Sequence, residues 1–168
     1  MESKIILQNG AGAFLKNNGR YLLMLRSSTR KIAPNVWSCV GGHMEANELK
    51  DPMETCLREI REETGITKEN IHNLKLRYII LRQHKNIIRQ NYIYFGETNT
   101  TELLETEEGT LHWICENELL EKEYTKTYME MMKHYIKTPD PEERIVVGIA
   151  GRHSGKLKMD WSILEDFE

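Results

Sequence analysis

The 168 residues, 39% hydrophobic and 29% charged, are enough for one hydrophobic core and too few for two independent domains, so a single domain over 1–168 is expected. A formal net charge of −3 excludes the broad basic field that duplex DNA or an anionic lipid surface calls for. The longest apolar runs, such as Tyr21 to Leu25 and Ile145 to Ala150, fall far short of the roughly 20 residues of a membrane helix. Met1-Glu2-Ser3-Lys4 leads into only three apolar residues, without the apolar region of a secretory signal, so the cytoplasm is the expected compartment. Cys39, Cys56 and Cys115 are odd in number and far apart, which argues for reduced thiols rather than a disulfide framework or a zinc cage.

In chain order, Ala11 to Phe14 and Tyr21 to Leu25 flank Lys16-Asn17-Asn18-Gly19-Arg20, the turn residues of a β-hairpin. An irregular stretch, Ser27 to Asn35, leads through Val36-Trp37-Ser38-Cys39-Val40 into Gly41-Gly42, where backbone can turn sharply or approach a ligand. Asp51-Pro52-Met53-Glu54 starts a helix, with a capping side chain and a proline suited to the first position, and Gly65 stops it. The helix is therefore placed at Pro52 to Thr64, with Met53, Cys56, Leu57, Ile60 and Thr64 as the stripe that packs on a sheet.

Leu74 to Arg82, Ile87 to Glu97 and Thr110 to Cys115 read as strands. Glu116 to Ile136 is helical in composition, in one or two pieces, with Leu119, Leu120, Tyr128, Met131, Met132 and Tyr135 as core candidates. A hairpin of Arg144 to Ala150 and Lys156 to Ile163 closes the pattern around a polar tip. Helices mixed with mainly antiparallel strands predict an α+β or α/β/α layered architecture.

The segment Arg58-Glu59-Ile60-Arg61-Glu62-Glu63-Thr64-Gly65-Ile66 carries the chemistry. On a helix, Glu59, Glu62 and Glu63 stand at i, i+3 and i+4, so three carboxylates share one arc. Their repulsion costs roughly 0.2–0.5 kcal/mol per exposed pair and more at lower dielectric, and a hard divalent cation offsets it. Oxygen ligands that leave room for water suit magnesium or manganese rather than zinc. Taken alone, such a string is also the solvated acidic face of an ordinary helix, its arginines making surface ion pairs.

The wider window resembles the Nudix box, G-x5-E-x7-R-E-U-x-E-E-x-G-U with U aliphatic, through Gly42, Glu48, Arg58, Glu59, Ile60, Glu62, Glu63, Gly65 and Ile66. One departure stands out: nine residues (49–57) separate Glu48 from Arg58, where the pattern has seven. The extra pair falls in Leu49 to Asp51, before the helix cap, which lengthens a loop without rotating the acids and leaves the placement of Glu48 open.

The resemblance implies the family's α/β/α sandwich, with a mixed sheet, a smaller antiparallel sheet and the box as a loop-helix-loop. It implies metal binding by Glu59, Glu62 and Glu63 with the carbonyl of Gly41, and orientation of Glu59 by Arg58. Glu59 is the first candidate for general base and Glu108 the next. Tyr21 to Arg26, Val36-Trp37 and Glu107 to Trp113 are similar to the MutT-like group that hydrolyses oxidised purine nucleoside triphosphates. On that likeness Arg26 contacts phosphate, while Trp37, Tyr92 and Tyr94 are the aromatic candidates for a purine wall. Ser38 falls near a position where some of that group carry a base-reading asparagine.

Plainer readings stand beside these. Trp37 and Trp113 read equally well as core residues. His43, His84, His112 and His153 are scattered and favour structural or surface roles, and Met129, Met131 and Met132 favour packing.

The expected activity is magnesium-dependent cleavage of a pyrophosphate bond in a small nucleotide, such as 8-oxo-dGTP giving monophosphate and pyrophosphate. Alternatives are another nucleoside diphosphate derivative (nucleotide sugar, ADP-ribose, dinucleotide or dinucleoside polyphosphate) or a non-catalytic nucleotide sensor. The three box glutamates are all present, which disfavours the sensor.

Overall fold

The computed structural model describes residues 4–104 and 106–166; Met1 to Ser3, on which part of the leader reading rests, lie outside that range. Strands β1 (Ile6–Asn17) and β2 (Arg20–Arg26) form the expected hairpin. Asn18 and Gly19 turn it with φ of 47° and 76°, the paired positive values that suit a two-residue turn between twisted strands.

Their ladder is short, Lys16 with Tyr21 and Asn17 with Arg20, and beyond it the two strands separate into different partnerships. β2 pairs with β3 (Trp37–Ser38) and β7 (Gly109–Cys115), a small antiparallel group. β1 pairs with β4 (Val40–His43) and, in parallel, with β6 (Ile87–Thr98). Beyond β6 lie β5 (Ile71–His84), β8 (Val146–His153) parallel to it, and β9 (Lys156–Ile163). This is the mixed sheet plus smaller antiparallel sheet that the resemblance implies.

Helix α1 (Pro52–Thr64) has the expected bounds. Asp51 accepts from the N–H groups of Met53 (3.1 Å) and Glu54 (3.4 Å), and Gly65 ends the helix at φ 78°, a left-handed conformation that glycine adopts without penalty. Its buried face comprises Thr55, Cys56, Ile60, Glu63 and Thr64. Met53, expected on the stripe, is 37% exposed, because the residues that touch the sheet run from Thr55 to Glu63 around an arc that leaves the first turn outside. Cys56 and Ile60 join Ala11, Ala13, Leu15, Leu22 and Val40 in one core layer.

The opposite layer holds Phe14, Tyr21, Leu23, Tyr78 and Phe95 under α2 (Lys126–Lys137), with Met131 and Met132 fully buried. The region 116–136 is therefore in two pieces, a 3-10 turn at Glu116–Glu121 and then α2. Leu119 is buried as expected, while Leu120, Tyr128 and Tyr135 are half-buried. A cleft opens where β1 and β2 part, lined by residues of both α1 and α2.

Candidate active site

The cleft encloses about 770 Å³. Its walls are the glycine-rich parts of β1 and β4, the loop 29–33, Trp37, and the acid face of α1, and its floor is made by Arg82, Arg89, Asn91 and Ile93. Glycine is required where β4 meets the helix. A Cβ on Gly42 would lie 2.4 Å from Glu59 Oε1, and one on Gly41 would lie 2.4 Å from the carbonyl oxygen of Ala11. The missing side chains allow α1 to bring Glu59 down onto the strand.

Glu59 and Glu63 both line the cleft. Gly41 donates its N–H to Glu63 Oε2 at 2.9 Å, so the contact that fixes this glycine to the acid face runs through its N–H. Arg58 Nη1 donates to Glu59 Oε1 at 2.8 Å. Burial, then the charges of Glu59 and Glu108, push the Glu63 carboxyl up to about 8, against the lowering effect of the Gly41 hydrogen bond. Burial also raises Glu59, against the pull of Arg58. Two mutually repelling carboxylates thus line the cleft, and burial makes both resist ionisation.

Glu62 is not part of this pair. Its side chain is 57% exposed and is held by Arg58 Nη1 at 3.1 Å. The reason is helical phase: from Glu59, the i+4 position advances by about 40° and the i+3 position retreats by about 60°, so the two lie on opposite sides of it. Among the described residues no three His, Cys, Asp or Glu side chains converge as a metal-ligand set. The donor set nevertheless fits a hard divalent cation: two carboxylates resisting charge, in an open cleft that leaves room for water.

Glu48 takes up the placement that its loop left open. Its carboxylate is 4% exposed and accepts from Arg58 Nε (2.7 Å) and Nη2 (3.0 Å), from Thr55 Oγ1 (2.7 Å) and from the Glu45 N–H (3.0 Å). Arg58 and these bonds hold its carboxyl far below the usual range, at about 2. Arg58 therefore bridges Glu48, Glu59 and Glu62, and also donates to the His43 carbonyl at 3.1 Å.

Glu108 lines the cleft and pairs with Arg30 at 2.7 Å. Arg26 lines it too, with its guanidinium donating to the carbonyls of Ala33 (3.1 Å) and Ile32 (3.0 Å), which pins the loop between β2 and β3. Trp37 lies on the wall, edge-on to His112 at 5.2 Å and under Lys122 at 5.6 Å. Trp113 packs in the α1-side core.

Tyr92 is a correction: it is half-buried, packs on the α1-side core with Tyr94, and does not line the cleft. Side chains alternate along β6, so the cleft receives Arg89, Asn91 and Ile93 instead. No sequence pattern marks these three, or Arg82 and Arg30, as cleft residues, and Tyr128, a core candidate by sequence, lines the cleft as well. The alternation was visible, but its phase depends on which side of the sheet the helices cover.

A family model described as the NUDIX domain matches residues 6–135. Over 51 residues the chain is 45% identical to the nucleoside triphosphatase NudI of Enterobacter sp. (strain 638), covering 30% of this chain and 35% of that protein. Over 54 residues it is 43% identical to the m7GpppN-mRNA hydrolase NUDT17 of Xenopus laevis, covering 32% of this chain and 18% of that one. The matched segments thus span well under half the length of these relatives. The crystal structure of the MutT protein from Bacillus halodurans superposes with a TM-score of 0.69 at 23% identity, covering 92% of this chain and 97% of that one, a likeness of fold.

Proposed function

We propose, on the premise that this chain belongs to the Nudix family, that it hydrolyses a pyrophosphate bond in a nucleoside triphosphate, releasing monophosphate and pyrophosphate, with 8-oxo-dGTP as the preferred substrate. The observation that carries this reading is the Glu59 and Glu63 pair, whose carboxyl groups are both raised by burial in a cleft of about 770 Å³. Buried like charges of this kind call for a cation that arrives with the substrate. Glu59 and Glu63 would hold that cation, magnesium with manganese as a substitute, and it would supply charge neutralisation at phosphate oxygens and activation of a water for in-line attack.

The chain's own groups do the rest. Glu59 takes the proton of the attacking water, with Glu108 as the next candidate for that task. Arg58 keeps the Glu59 carboxylate oriented through its 2.8 Å hydrogen bond, and Gly41 does the same for Glu63 at 2.9 Å. Glu62 adds negative charge at the rim. Arg26 adds positive charge beside the phosphates while holding the loop, and Trp37 supplies a flat wall for the base. The nucleoside triphosphatase relative and the MutT-like fold support the substrate class. The whole chain acts as one domain on free nucleotide in the cytoplasm, in keeping with three free thiols.

The test is a comparison of 8-oxo-dGTP, dGTP, ADP-ribose and diadenosine tetraphosphate at equal magnesium. The expected result is at least a roughly tenfold higher kcat/KM for 8-oxo-dGTP than for dGTP, the scale of one or two added hydrogen bonds. A preference for either of the last two compounds rejects the triphosphate reading.

A further inference from the structure

The hydrolytic reading gives no role to two arginines that line the cleft. Arg82 on β5 and Arg89 on β6 stand directly opposite each other in the ladder, and both line the cleft. The tight turn at Lys85 and Asn86, between His84 and Ile87, fixes that register. Like charges facing each other across antiparallel strands are destabilising. Both residues are half-buried. Neither forms an ion pair among the described residues: Arg89 donates Nε to Gln8 Oε1 at 2.9 Å, and no carboxylate is among the charges that act on Arg82.

These arginines are set apart from the acids. Gly12 and Ala11 lie beside Gly41 and Gly42, where Glu63 and Glu59 dock, whereas Gln8 lies beside Arg89. Three to four residues of strand at 3.3 Å each separate the two places, roughly 10–13 Å. A group bound by the arginines therefore belongs to a part of the substrate other than the scissile pyrophosphate. A neutral base edge satisfies one guanidinium fork and leaves both charges uncompensated. A phosphate carries up to two negative charges and enough oxygens to accept from both forks.

We propose that Arg82 and Arg89 form a subsite for a second phosphate, carried on the sugar of a nucleotide, so that the cleft binds nucleotides phosphorylated at the 2′ or 3′ position in addition to the triphosphate substrate. The inference rests on the hydrolase reading for the orientation of the nucleotide, and its test is independent of turnover. Binding of adenosine 3′,5′-bisphosphate, adenosine 2′,5′-bisphosphate and AMP is measured by calorimetry with magnesium present, together with guanosine 3′,5′-bisphosphate and GMP. At least one bisphosphate binds roughly tenfold or more tightly than its monophosphate, the size of one added charge-assisted contact.

Arg82→Gln and Arg89→Gln each reduce that ratio to below about threefold, and Arg82→Gln, which relieves the like-charge contact while leaving the Arg89 bond to Gln8 in place, does so with no drop in thermal midpoint. Equal binding of bisphosphate and monophosphate by the unaltered protein overturns the proposal, as does a ratio that survives both substitutions. A bisphosphate preference in a protein that cleaves no pyrophosphate bond upholds the subsite and removes the hydrolase reading instead.

Discussion

Glu48 and Glu63 are almost equally hidden from water, at 3% and 6% exposure, yet their carboxyl groups are displaced in opposite directions, one to about 2 and the other to about 8. The difference lies in what surrounds them. Glu48 receives two donors from Arg58, one from Thr55 and one from a backbone N–H. Glu63 receives a single backbone N–H and faces two other carboxylates. The protein neutralises the first charge within itself and, on the proposed function, leaves the second to a ligand. On that reading one loop-helix unit contains a structural acid and a working acid, and burial alone does not tell them apart.

The largest effect that separates the two is on turnover. Glu59→Gln and Glu63→Gln are each expected to lower kcat by about 10³ or more, because they remove charge that the metal-assisted transition state needs, while the thermal midpoint stays level or rises. Steady-state rates and melting curves of the same preparations check this. Full activity in excess chelator removes the metal from the account altogether.

The complementary change is Glu48→Ala. It leaves Arg58, whose side chain is 25% exposed, without its principal partner, and is expected to cost about 3 kcal/mol of stability by urea unfolding, near the lower bound for a broken buried pair. Its effect on turnover is smaller and acts through Arg58. A stable Glu48→Ala protein dissolves the distinction between the two acids.

A pH series sharpens it further. The Glu63 carboxyl is raised from its ordinary 4.5, so folding favours its protonated form; that stabilisation is full below 4.5 and disappears as the pH climbs towards 8. Glu48 is lowered, so its contribution is full above 4.5 and disappears only as the pH falls towards 2. Between pH 5 and 8 the metal-free protein therefore loses stability through Glu63 while Glu48 is silent. Its thermal midpoint is expected to fall by roughly 4 °C or more over that range, about 1–2 kcal/mol. Glu63→Gln or saturating magnesium flattens the slope.

The smallest expected effect concerns the lengthened loop. Leu49 is 55% exposed, and Glu48 reaches Arg58 despite the two additional residues. Deleting Leu49 and Lys50 is expected to leave metal affinity within roughly tenfold, about 1.4 kcal/mol, by direct titration. A collapse of affinity makes the structural acid part of the working one.

The sequence made α1 legible to the residue, because Asp51-Pro52 and Gly65 are chemical punctuation that acts locally. Glu59 and Glu63 were legible for the same reason: helical spacing is a local property. Spacing groups Glu62 with them too, because it does not say which way the arc faces, and Arg58 draws Glu62 outward. Tyr92 reads as a wall for the base because an aromatic suits one, whereas the phase of β6, which turns Asn91 to the cleft instead, is set by which layer α1 covers. Arg82 and Arg89 lie outside the Nudix box; the turn at Lys85 and Asn86 sets them opposite each other, but their place in the cleft depends on the parallel pairing of β6 with β1, which no local pattern encodes.

That parallel pairing also dictates the order in which the molecule acquires its cleft. β1 lies beside β6 with partners 81 residues apart in the chain, and no shorter connection brings Gln8 to Arg89. Contacts this distant in sequence close late and slowly, since the loop entropy must be overcome before any contact is gained. The hairpin and α1 form from neighbours, so the acid face exists early, as an ordinary solvated surface. Only when β6 docks does it become one wall of a cleft, and a nascent chain that has not yet emerged beyond Thr98 has the carboxylates but no site.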